Sequence, residues 1–161
     1  MKTLQRGRAF LLLAWLIALP SSGADGLTIE RVNVLLNAID QASQARDVDA
    51  ILVHMADSLE VHMKMPADAG GDMRMSKREY ATILRITFAM AEEYSYRRED
   101  THIDIAADGQ SATVTDTTIE RIVMMGQTID SIAREEAIIE LIDDKPMVIR
   151  LFADGDMQAG G

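Results

Sequence analysis

The sequence predicts an α+β fold, with three N-terminal helices packed on a curved antiparallel sheet in the shape of a cone. Three observations lead there. Residues 28–59 and 76–91 carry apolar side chains at helical spacing. From Tyr94 onward the period becomes that of strands, and segments 94–107, 111–125, 128–142 and 146–152 are rich in Ile, Val, Thr and Tyr. The breaks between those segments are short, so consecutive strands run antiparallel as a meander.

The chain opens with Lys2, Arg6 and Arg8, an apolar run over 9–19, and then Pro20, Ser21, Ser22, Gly23 and Ala24. This is the pattern of a secretory signal peptide, with cleavage expected after Ala24 and the bacterial periplasm as the expected destination. The apolar run falls well short of the roughly 20 residues that a membrane-crossing helix needs. No membrane anchor is therefore expected once the signal is removed. The chain has no cysteine, which rules out disulfides and a cysteine-linked lipid. Residues 25–161 are expected to form one domain held by packing alone.

In that remainder 13 basic residues stand against 26 acidic ones, a net charge of −13 with the histidines neutral. Such a surface repels nucleic-acid backbones and anionic lipid, so no nucleic-acid partner is expected.

Residues 28–46 form the first expected helix, with Val32, Leu36 and Ile39 on one stripe. Asp47 caps a second, whose apolar face is Ile51, Leu52, Met55, Ala56 and Leu59. Alternation over 60–65 predicts a short strand that Pro66 ends, and 67–75, with Gly70 and Gly71, reads as a mobile loop. Ser76 and Glu79 have the spacing of a capping box for a third helix carrying Tyr80, Ile83, Leu84, Thr87 and Phe88. Asp108-Gly109 marks the first sheet hairpin, and 153–161 reads as a frayed tail. A sheet of such long strands curls, and the helices are the material available to close its concave face over a hollow.

This order of elements resembles the nuclear transport factor 2-like (NTF2-like) superfamily, which includes SnoaL-like and ketosteroid-isomerase-like proteins. The resemblance rests on the paired helices over 28–59, the short strand near Val61 to Met65, the helix after Ser76, and the strand-turn-strand run from Ile103 through Asp108-Gly109 to Val114. It implies a cone with an internal pocket, frequent homodimers, and uses that range over isomerisation, dehydration, cyclisation and plain binding. Enzymes of the superfamily rely on a pocket aspartate, often with tyrosine or histidine.

Tyr94, Tyr96, Arg98, Asp100, His102 and Asp104 alternate along one expected strand face. Facing a pocket, Asp100 and His102 would serve as base and acid, with Tyr96 donating to a developing oxyanion; facing solvent, the stripe would be a plain polar surface. The expected pocket lining is Met55, Met63, Tyr80, Phe88 and Glu120, where flexible thioethers suit an apolar ligand or simply fill gaps in a core poor in aromatics. Asp116, Glu120, Arg121, Arg134, Glu135 and Glu136 read as cross-strand charge pairs on an exposed face, from which Glu120 could also reach inside. His54, His62 and His102 lack metal-ligand spacing, and neither metal nor cofactor is expected. There is no nucleophile elbow, no glycine-rich phosphate loop and no zinc-protease helix. Three functions stay open: an exported protein that binds a small apolar molecule or a protein partner, an acid-base isomerase, dehydratase or cyclase, and a homodimeric assembly subunit.

Overall fold

The computed structural model describes residues 26–67 and 71–160; the expected signal peptide and its cleavage site at Ala24 lie outside them. Helix α1 spans Ile29–Gln44 and starts where the Thr28 side chain accepts from the Arg31 N–H. It buries Val32, Leu35, Leu36, Ile39 and Ala42, which is the apolar stripe that the 3.6-residue period places on one side. The Asp47 carboxylate accepts from the Ala50 N–H to open α2, Val48–Leu52.

Helix α2 is much shorter than its apolar spacing suggests. From Met55 the chain is strand β1, Met55–Lys64, and residues 55–59 are not helical. The apolar positions Met55, Leu59 and Val61 fit an irregular strand as well as a helix. Pairing decides: the Val148 N–H donates to the His54 carbonyl at 3.0 Å, and Met55 lies beside Val148 in the sheet. Tertiary pairing overrides local spacing here.

The segment expected as a loop over 67–75 holds strand β2, Asp72–Ser76, which pairs with β1 so that Met73 faces Met63 and Met75 faces Val61. Helix α3, Lys77–Met90, begins with the capping box: the Ser76 N–H donates to Glu79 Oε2 at 2.8 Å, and the Glu79 N–H donates to Ser76 Oγ. Such a cap contributes about 1 kcal/mol. The remaining strands are β3 (Glu93–Ile105), β4 (Ser111–Met124), β5 (Gln127–Ile142) and β6 (Lys145–Gly160).

These form one six-stranded sheet in the order β2-β1-β6-β5-β4-β3. It is mixed, because β1 and β6 run parallel while the other neighbours are antiparallel. The frayed tail does not materialise: β6 stays paired with β5 as far as Thr128 opposite Gly160. The length of β5 explains this, since its backbone groups need partners along all 16 residues. Two hairpins turn through consecutive left-handed residues, Met125-Gly126 and Asp143-Asp144. Asp108-Gly109 instead sits in a longer connection where only Gly109 has positive φ, +68°, and the Gly109 carbonyl accepts from the Leu27 N–H at 2.7 Å, tying the start of the described chain to the hairpin.

The core lies between α1 and the concave face of the sheet. Val32, Val114 and Ile139 are completely buried there, with Val61 nearly so.

Candidate functional site

The same concave face encloses a cavity of about 250 Å³, roofed by α1 and α3. Small side chains make it. Ala133, Ala137, Ala153 and Gly155 lie on its β5 and β6 floor, where larger residues would fill the space. A Cβ on Gly155 would come within 3.1 Å of the Ala133 Cβ, so the floor itself is tight. Above it, Tyr80, Ile83, Leu84 and Phe88 of α3 are only partly buried although they form the apolar face of their helix, because that face looks into the hollow. Phe88 and Tyr94 meet edge to face at 5.0 Å. Met55, Met63, Tyr80, Phe88 and Glu120 all line the cavity.

Strand β3 brings polar groups inside, though not all those on the expected stripe. Tyr94, Tyr96 and Arg98 line the cavity. The alternation then breaks at a bulge: Glu99 faces Thr117 and His102 faces Thr115, three steps along β3 against two along β4. Asp100 sits in the bulge at φ 53°, a conformation that aspartate tolerates better than most residues. An extra residue moves every later side chain to the other face. Ile103 and Ile105 therefore pack against the core, and Asp100 and His102 are exposed. The structure does not bring Asp100 and His102 together with Tyr96.

What Tyr96 joins instead is a network centred on Arg98. The Arg98 guanidinium donates through Nε to Asp40 Oδ1 at 3.1 Å, through Nη2 to the Tyr96 hydroxyl at 2.8 Å, and through Nη1 to Asp116 Oδ2. Burial works against the charge of Arg98, but Tyr96, Asp116 and Asp40 outweigh it and hold the guanidinium protonated. The Asp116 side chain is 1% exposed, and burial raises its pKa despite Arg98. Its second oxygen, Oδ1, is buried without a hydrogen-bond partner.

Two further carboxyls enter the hollow. Glu120 accepts from the Tyr94 hydroxyl at 2.6 Å, and burial raises its pKa. Glu135 accepts from Thr118 Oγ1 at 3.1 Å. Burial and, after it, the charge of the opposed Asp116 push Glu135 up to about 7 against the counteracting Arg98. Burial is also the main cause that raises the pKa values of Tyr80, Tyr94 and Tyr96, so all three hydroxyls stay protonated and able to donate.

Glu135 thus lines the cavity and Asp116 is buried, so neither belongs to an exposed set of charge pairs. Strand parity was the available signal: Asp116 shares its face with Ala112 and Val114, and Glu135 with Ala137 and Ile139, all buried. Arg121 does lie outside, paired with Asp130 at 2.6 Å. His62 bonds Asp72 at the far end of the sheet. Among the described residues no group of three or more His, Asp or Glu could hold a metal ion, and no helix is long and apolar enough to cross a membrane.

No protein-family model matches the sequence, and no curated protein is similar enough to count as a relative. Solved structures do match. One from Novosphingobium aromaticivorans, named a "putative aromatic ring hydroxylase", aligns with a TM-score of 0.68 at 16% identity, over 84% of this chain and 95% of that one. An NTF2-like protein of unknown function from Pseudomonas putida aligns at 0.63 and 14% identity, over 78% of this chain and 84% of that one. The fold is that of the NTF2-like proteins. LinA shares it, with a TM-score of 0.63 at 10% identity over 82% of this chain and 85% of LinA. Identities this low speak for the NTF2-like fold alone, which hosts many functions.

Proposed function

We propose that this NTF2-like chain binds a small, mostly apolar molecule inside its cone, with the polar end of the ligand turned toward Glu120, Glu135 and Tyr96. The cavity itself carries the proposal. An apolar hollow of about 150 Å³ suffices for benzene, so about 250 Å³ holds an aromatic ring with a short branch. Its wall has the composition of a ligand site, mostly hydrophobic with a few convergent polar groups. A second reading has one observation in its favour. Glu135, with a pKa near neutrality and Tyr96 among its neighbours, has the proton affinity that suits a general base in isomerisation or dehydration.

Methyl NMR with neopentylbenzene as the probe tests binding. The methyl signals of Met55, Met63 and Leu84 are expected to shift on titration, and Ala133→Leu, which fills the floor, to abolish those shifts. Shifts confined to surface methyls such as that of Met125, which is 81% exposed, would overturn the proposal.

A further inference from the structure

We infer that the cavity selects a cation, an apolar amine or quaternary ammonium, over neutral and anionic molecules of the same shape. The inference rests on the ligand-binding reading above and adds the sign of the ligand's charge.

The charges inside are already partly paired. Arg98 is engaged by Asp40 and Asp116 together, so two acids share one base. Lys64, at the edge of the cavity, is 61% exposed and lies 3.4 Å from Asp154. Glu120 and Glu135 remain, and the partners found for them are hydroxyls, from Tyr94 and Thr118. A buried carboxylate without a cation is unfavourable and responds by holding its proton. The cation that acts on Glu135, Arg98, is already shared by Asp40 and Asp116 and only partly offsets the cost of burial. Asp116 and Glu120 face it from β4, Tyr96 and the already paired Arg98 from β3 and Tyr80 from α3, while its partner on β6 is Ala153. The buried, partnerless Asp116 Oδ1 shows the same shortage of donors.

The rings point the same way. Tyr80, Phe88, Tyr94 and Tyr96 line the hollow that the two glutamates face, and aromatic faces attract ammonium groups. An incoming ammonium would meet two glutamates whose hydrogen-bond partners are hydroxyls, rings that favour positive charge, and an Arg98 whose own charge is already offset by Asp40 and Asp116. An anion would meet the same carboxylates as a like charge, and a neutral molecule would gain only apolar burial. Binding of a cation displaces the proton of Glu135, so affinity for cations rises with pH up to about 7.

Benzyltrimethylammonium and neopentylbenzene have the same shape and differ in charge, which makes them the test pair. Titrated into the intact protein at pH 8 and pH 5 and followed by the same methyl signals, the cation is expected to bind about tenfold or more tightly than its neutral isostere at pH 8. The preference should shrink at pH 5 and in Glu135→Gln. The pH series needs no variant, so a folding defect in the substituted protein does not leave the outcome open. Equal or tighter binding of neopentylbenzene at pH 8 overturns the inference and leaves the ligand-binding reading standing. Binding of neither probe overturns both.

Discussion

Arg98→Met is expected to destabilise the protein by about 3–5 kcal/mol, the range for breaking a buried ion pair by removing one partner. Methionine fills most of the volume of the arginine stem, so the loss is not a cavity effect. It comes from leaving Asp116, 1% exposed, without its guanidinium and Asp40 without its Nε donor. The triple variant Arg98→Met, Asp116→Asn, Asp40→Asn removes the stranded charges and should recover most of the loss. Urea denaturation at pH 7 measures both. A loss below about 1 kcal/mol for the single variant would mean that the network is solvated and that the polar end of the cavity is wet, as surface pairs are.

The second large effect concerns pH. An unfolded glutamate titrates near 4.5, and Glu135 in the fold near 7. The folded state therefore binds more protons than the unfolded one between those values, and stability falls as pH rises through that window. The contribution is fully present below about 4.5 and lost above about 7. A shift of this size corresponds to about 3 kcal/mol. The raised carboxyls of Glu120 and Asp116 act in the same direction. Paired surface carboxyls whose pKa is lowered, such as Asp130 beside Arg121, act oppositely but only at more acid pH. Thermal unfolding should thus show a higher midpoint at pH 5 than at pH 8. In Glu135→Gln the slope should flatten and the pH 8 value rise. A wild-type protein more stable at pH 8 than at pH 5 would contradict the burial of these acids.

Much of the architecture was legible in the residues. The stripe of Val32, Leu36 and Ile39, the Asp47 cap, the Ser76 and Glu79 box and the long strands after Tyr94 are local features, and local physics places them. Pairing at a distance decides the rest. Residues 55–59 became strand because β6 lies beside them, and β6 itself continued to Gly160 because β5 extends that far. Nothing within either segment announces its partner.

The interior of the site was half legible for the same reason. Met63, Tyr80 and Phe88 follow from periodicity that survives folding, whereas Met55 reaches the cavity from a strand and not from the helix its spacing suggests. The Asp100 and His102 stripe does not survive, because one residue inserted at the bulge reverses the face of everything after it. A lone aspartate with φ near +53° is a weak signal in a sequence that contains many aspartates. Asp116 and Glu135 were hidden by a sound general expectation, that charged residues on strands face water. Here the central strands turn acids inward and leave them short of positive charge.

Cation selection rests on Glu120 and Glu135 facing the cavity with hydroxyls as their hydrogen-bond partners. Carboxyl carbon-13 NMR of Glu135, titrated with and without benzyltrimethylammonium, tests it most directly. The account predicts a midpoint near 7 in the free protein that moves down when the cation is present. A midpoint near 4.5 that the cation leaves in place would contradict it.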